Sequence, residues 1–372
     1  MVGVLVLLLM AGGVAFWLVG RPDDPPDDLP GGTTSSGVVK VTGTVGSEKK
    51  AFFDDPKVQE ELRQQGLEVS AQSAGSWQMN DVQSGTADFA FPASLPPAEA
   101  IQKDHKITGT PVRPFYSPLV VVTRKATAEI LRKNGLAAQS DSKVWTLTMD
   151  KFLSAVLEGR KWEQLAPENR PPELAGSLFL TTTDPDKSSS GALYVAMMSF
   201  LLNNREAVQD EATVQKVGKD LKEAFNRQGG MQSSTEQPFA DFVSGTGRPL
   251  VLAYESQALE LAAKKDLPPD TVLLYPDTAV ISDHSIVGFT EGGKKLADVL
   301  LKDEKLRQLA VEHGFRPATP PSGESPFKAH VAELNNGPTK NNFAFDPDLN
   351  LPRVALPKQD ILLSLVKATA TK

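Results

Sequence analysis

The chain of 372 residues contains no cysteine. That absence removes disulfide scaffolding, thiol catalysis, thiolate zinc sites and a cysteine-linked lipid anchor. Positive charge is also short, with 39 Lys and Arg against 46 Asp and Glu for a net −7. Without a basic surplus the chain lacks the footprint that phosphate-backbone binding requires, so nucleic acid is not an expected partner. Histidine is scarce. His105, His284, His313 and His330 are scattered and match no metal-ligand spacing such as H-E-x-x-H, and no metal or cofactor is expected. There is no G-x-S-x-G elbow and no Walker loop, and Gly43-x-x-Gly46 is too short for a dinucleotide fingerprint. No base and nucleophile stand together, so an enzyme is not expected. No repeat or heptad pattern stands out.

What is present is a chain 40% apolar and 23% charged, ordinary for a globular protein. At roughly 100–200 residues per domain there is room for two domains with their own cores. The distribution is less ordinary. Val2 to Gly20 carries no charge, and ~20 residues at ~1.5 Å each just span a hydrocarbon core of ~30 Å. Residues 1–20 therefore read as a single transmembrane anchor, with a cleaved signal peptide as the rival reading. Leu9-Met10-Ala11-Gly12 resembles the start of a lipoprotein cleavage box, but Gly13 stands where the lipidated cysteine is required. Arg21-Pro22-Asp23-Asp24-Pro25-Pro26-Asp27-Asp28 and a Gly/Ser/Thr stretch then make residues 21–37 an extended, self-repelling spacer. The soluble part is expected to hang outside the membrane on this leash.

From Val38 onward short β-branched runs alternate with helical patterns, the sign of an α/β fold. Strands are expected at Val38 to Thr42, Leu67 to Ala71 and Ala87 to Phe91, with a helix from Glu48 to Gln65 closed by Gly66. Successive strand–loop–helix units imply parallel strands with their loops at one carboxyl edge. A buried strand follows at Leu119 to Thr123. A second region carries a strand at Leu178 to Thr182, a polar loop from Asp184 to Ser190, an apolar helix from Gly191 to Leu202 and a charged one from Asp210 to Gln228. Leu250 to Tyr254 and Val272 to Tyr275 read as further strands, and Ile286 to Phe289 as a return strand beside a loop holding His284. Eight prolines lie between Pro317 and Pro357, so the tail is expected to be extended apart from a short helix at Asp360 to Ala368.

Small hydroxyl residues collect where strands meet helices. They are Gly46-Ser47, Gly75-Ser76 and Ser188-Ser189-Ser190-Gly191, with Ser94 at another strand end. A helix N-terminus exposes unpaired N–H groups and about half a positive charge, so it attracts anions. Plain N-capping is the simpler role for any one of these serines. Several at carboxyl ends of strands, from two α/β regions, point to a shared cleft. Trp77 adjoins Ser76, and the Tyr254-Glu255 pair ends a strand near the same edge. Asp184 and Asp186, around Pro185, read as loop acids.

These residues carry a resemblance to the type 2 periplasmic solute-binding proteins, particularly the phosphate- and molybdate-binding branches. Leu147-Thr148-Met149-Asp150-Lys151-Phe152 through Gly159-Arg160-Lys161-Trp162-Glu163-Gln164-Leu165 resembles their G-K-x-x-x-W-x-D-L stretch. Ser188-Ser189-Ser190-Gly191 resembles their S-G-T helix start, although Ala192 stands where phosphate binders usually have Thr. Tyr275-Pro276-Asp277, Asp283-His284-Ser285, Gly292-Gly293-Lys294-Lys295 and Gly314-Phe315-Arg316-Pro317 resemble their closing segment. The likeness spans residues ~38–320.

The resemblance implies a two-lobe α/β fold of mixed sheets flanked by helices. Lobe 1 would be built from residues 38–122 and 271–320, lobe 2 from 123–270, and the tail 321–372 would pack on or trail lobe 1. The implied function is extracytoplasmic capture of a small polar solute, an oxyanion by preference, for an ABC permease. The alternative is a sensing or protein-interaction module on the same fold. Ser47, Glu48, Ser76, Trp77, Ser94, Ser188, Ser189, Ser190, Tyr254 and Glu255 are the expected ligand-binding residues.

Overall fold

A computed structural model of the chain describes residues 37–81, 85–318, 325–336 and 344–370. The expected anchor and nearly all of the expected spacer lie outside these residues. Val38 to Lys372 form a compact unit of their own.

β1 (Val39–Val45) alternates as a half-buried strand should, with Val41 and Val45 inward and Lys40 and Thr42 outward. It runs past the expected end at Thr42 because Gly43 lets β3 approach: a Cβ there would overlap the Phe89 carbonyl. β2 (Leu67–Ser73) and β3 (Phe89–Phe91) pair with β1 on either side, both parallel, as the strand–loop–helix pattern predicts. The expected helix from Glu48 to Gln65 is instead a 3-10 turn (Ser47–Lys49) and two helices, Lys50–Asp54 and Pro56–Gln64. The break falls at Asp55, which cannot stay helical before a proline and caps the next helix by accepting from the Lys57 N–H at 2.7 Å.

β4 (Val112–Arg124) is the centre of the molecule. It is far longer than the expected Leu119 to Thr123, because Pro114 and Pro118 disguise its first half as loop. The remaining strands are β5 (Ala137–Gln139), β6 (Trp145–Leu147), β7 (Val251–Tyr254), β8 (Thr271–Pro276), β9 (Ile281–Gly288) and β10 (Arg316–Pro317). The sheet order is β2-β1-β3-β9-β4-β8-β6-β5, with β7 and β10 also paired to β4. The first half of β4 pairs with β9, as at Ser117↔Ser282, and the second half with β8 and β7, as at Val121↔Leu274 and Val120↔Ala253. The two halves of one strand thus pair toward opposite ends of the sheet.

The expected strand at Leu178 to Thr182 makes only isolated bridges, Thr181↔Val251 and Thr183↔Gln232. The helix after it, Ser189–Leu202, is apolar on all sides and nearly all buried, the mark of a helix inside a core rather than on it. Gly191 is required in its first turn, since a Cβ would overlap the Thr183 carbonyl and Pro185. Glu211–Asn226 beside it is amphipathic and capped by Asp210, which accepts from the Thr213 N–H at 2.8 Å.

The tail corrects two expectations. It carries an unanticipated helix, Pro326–Asn336, whose Phe327 and Val331 join a core shared with Leu259 and Tyr275. Its last helix, Gln359–Thr369, does not pack on the first region of the chain. Ile361, Leu362, Leu365 and Val366 share a core with Leu193, Met197 and Leu221, on the helices Ser189–Leu202 and Glu211–Asn226. Among the described residues, no helix is long and apolar enough to cross a membrane.

Candidate functional site

The turn after β1 places two buried charges side by side. Glu48 and Lys49 are an ion pair, and Lys49 is completely inaccessible. His284 reaches them from the middle of β9, a strand where a loop was expected, with Nδ1 3.1 Å from the Lys49 ammonium and 3.3 Å from the Glu48 carboxylate. Lys49 also lies 4.8 Å from the centroid of the Phe91 ring. Burial opposes ionisation of Glu48, but Lys49 and His284 overcome it and hold its pKa down at about 2. Burial lowers the pKa of Lys49, with Glu48 pulling the other way. Burial and the neighbouring ammonium bring His284 down to about 4, so at neutral pH its ring is uncharged. Accepting from Lys49 at Nδ1 puts the ring proton on Nε2, which has no hydrogen-bond partner among the described residues.

Tyr254, at the end of β7, connects this charged group to the serines. Its buried hydroxyl meets Ser190 and Ser282, and burial together with Glu48 raises its pKa well above the ordinary phenol value. Ser190 lies 2.7 Å from Thr183 Oγ1 and 2.9 Å from Ser188 Oγ at the start of the helix Ser189–Leu202. Ser94, at the start of the helix Leu95–Asp104, donates to Ser189 Oγ at 2.8 Å. Ser282 donates to the Ala93 carbonyl, and Ser76 accepts the Ala93 N–H at 3.1 Å. The Trp77 N–H donates to the Lys187 carbonyl at 3.3 Å, while its indole N–H has no partner among the described residues.

The structure therefore brings together Glu48, Ser76, Trp77, Ser94, Ser188, Ser189, Ser190 and Tyr254 at one seam, where loops after β1, β2 and β3 meet the helix Ser189–Leu202. Ser47 sits half-buried at the start of its turn and makes no side-chain hydrogen bond among the described residues. Glu255 is a correction. Its carboxylate turns away from Tyr254 and accepts from Arg316 at 2.7 and 2.9 Å and from the Tyr275 hydroxyl. Arg316 goes on to the Asp346 and Pro347 carbonyls, so the cluster ties Glu255 to the tail and not to the serines of the seam.

Sequence reasoning passed over Lys49, Thr183, Ser282 and His284 as members of the seam. For Ser282 and His284 the available signal was their period-2 spacing on one face of a strand. His313 caps the C-terminus of the helix Glu304–Glu312. It bridges Asp55 at 3.0 Å and Glu260 at 3.3 Å; burial disfavours its charge, but the two carboxylates raise its pKa.

The seam can hold a small polar group by hydroxyls, a helix N-terminus and one buried ion pair. Among the described residues, the polar partners of His284 are Lys49 and Glu48, and none is a serine hydroxyl.

The α/β sheet with flanking helices is the periplasmic-binding-protein fold that the sequence resemblance implied. No family model matches the chain, and no curated protein matches it. Solved structures do. A periplasmic thiamin binding protein superposes with TM-score 0.56 at 11% identity, over 92% of this chain and 99% of that one. The substrate binding protein of an ABC transporter from Agrobacterium tumefaciens gives 0.55 at 13%, over 91% and 96%. A ferric binding protein from Campylobacter jejuni gives 0.53 at 8%, over 89% and 100%. At such identities the likeness carries the fold and no ligand.

Proposed function

We infer that the chain is the extracytoplasmic solute-binding component of an ABC-type importer, held at the membrane through residues 1–20. In this reading lobe 1 (residues 38–122 and 271–320) and lobe 2 (residues 123–270) close on a small polar solute. The chain crosses between them near Val120, within β4, and near Tyr275, in β8. The solute stabilises the closed form only through contacts that it makes better there than in the open form. An oxyanion is the favoured class, as in the phosphate- and molybdate-binding branches that the sequence resembles. Serine hydroxyls and a helix N-terminus can replace the water around such an anion without a full counter-charge.

The observation that carries the reading is the junction of Ser94 with Ser189 at 2.8 Å, where hydroxyls from two separate strand–helix units meet. A second reading, an interaction or sensing module with no transport role, is favoured by the same closeness, since Trp77 and Ser94 already bond directly across the seam.

Thermal unfolding of the full chain with phosphate, sulfate, molybdate, amino acids, sugars and metal ions distinguishes a solute-binding chain from an interaction module. A solute at ~100-fold its dissociation constant adds ~2.7 kcal/mol of stability. Ser188→Ala with Ser190→Ala should weaken that solute's binding with little loss of fold. A chain whose melting responds to none of these solutes is the interaction module.

A further inference from the structure

On the other face of the sheet, a cavity of 640 Å³ opens between β4, β9 and the tail. That volume falls within the ~300–1,000 Å³ typical of small-molecule sites. The strand register explains its position. Tyr116 pairs directly with Asp283 across the ladder, while Phe115 pairs with His284. Cross-strand partners share a face and neighbours alternate. Phe115 and His284 therefore point to the core and the seam, with ring centroids 5.6 Å apart, and Tyr116 and Asp283 point into the cavity.

The lining is apolar at Val112 and Ile281 and charged at Arg113, Asp283 and Arg353. Arg113 lies 3.6 Å from the Asp283 carboxylate. Burial raises the pKa of Asp283, against the pull of both arginines, which places the Arg353 charge close by as well. Arg353 itself makes no hydrogen bond and no ion pair among the described residues. Nor is its place arbitrary. The Ala279 N–H donates to the Pro352 carbonyl at 2.7 Å and the Val354 N–H to the Ala279 carbonyl at 2.9 Å, so the backbone on both sides of Arg353 is bound to the β8–β9 connection. Two guanidinium groups against one carboxylate leave a positive cavity with a fixed frame.

We propose that this cavity binds a small organic anion, its carboxylate or phosphate held between Arg113 and Arg353 and its apolar body against Val112, Tyr116 and Ile281. Planar guanidinium forks match both anion types in two-point hydrogen bonds. The proposal is independent of the solute captured at the seam.

Calorimetric titration of the full chain with phenyl phosphate and with benzoate tests it. Binding by at least one probe is expected, weakened about tenfold or more by Arg353→Ala and by Arg113→Ala. Both arginines are exposed, so each variant is expected to fold, and circular dichroism checks it. Ser188→Ala with Ser190→Ala should leave the affinity unchanged. The proposal is overturned if neither probe binds at millimolar concentration. It is equally overturned if affinity survives both arginine substitutions, or if it is lost with the serines and kept without the arginines.

Discussion

Tyr254 and Glu255 are adjacent in sequence, both are buried, and they enter two different charged clusters. The Glu255 cluster is complete. A guanidinium takes both carboxylate oxygens, the Tyr275 hydroxyl adds a third bond, and the remaining donors of Arg316 reach backbone carbonyls of the tail. The Tyr254 cluster is not. Among the described residues, His284 keeps a ring nitrogen without a partner, Trp77 does the same, and serine hydroxyls bond one another. Burial and charge are common to both, so neither marks a binding site. The difference lies in whether any polar atom is left to be satisfied by something else.

The largest effect should come from Arg316→Met. It leaves the Glu255 carboxylate buried without its charge partner, a loss of about 3–5 kcal/mol in urea unfolding. Lys49→Met should cost less, about 2 kcal/mol, because His284 can take up a proton beside Glu48. A larger loss for Lys49→Met than for Arg316→Met would reverse the comparison.

Next comes pH. An unfolded histidine binds its proton near 6.5, whereas folded His284 does so only near 4. Between those values the unfolded state holds more protons, so stability falls as pH falls, by at most ~1.4 kcal/mol per pH unit. His313 has the opposite sign. Its raised pKa contributes stability that is fully present below 6.5 and is lost as pH rises through the folded value. Proton NMR of the imidazole signals reads both, and a His284 midpoint at 6.5 or above contradicts the buried arrangement.

The smallest effect is at the seam itself. Ser94→Ala removes the bond to Ser189 and no helix cap, since the Ser94 side chain caps nothing. The expected loss is about 1 kcal/mol in thermal unfolding. No loss at all would mean that the two loops merely touch.

The α/β alternation was legible because its signals are local: β-branched runs, Gly66 closing a helix, serines at strand ends. The serine cluster was legible for the same reason. What was hidden depended on distance or disguise. Glu255 looked free because its partner, Arg316, stands 61 positions away. His284 read as part of a loop, although the alternation on β9 sends it and Ser282 inward. Pro114 and Pro118 removed the strand signal from the half of β4 that joins β9, since proline donates nothing to a ladder. The tail looked loose from its prolines, yet Gln359–Thr369 presents an apolar face with helical spacing.

β4 also bears on how far the molecule can be divided. A gene fragment ending at residue 124 would keep this strand and lose β7, β8 and β9, leaving the backbone groups of both its halves unpaired and open to self-association. The complementary fragment would hold β8-β6-β5 as one remnant and β7, β9 and β10 without the strands they pair with. The thirteen residues of β4 thus make the two ends of the sheet hereditary companions: neither can be exchanged, duplicated or inherited as a module unless the strand they share goes with it.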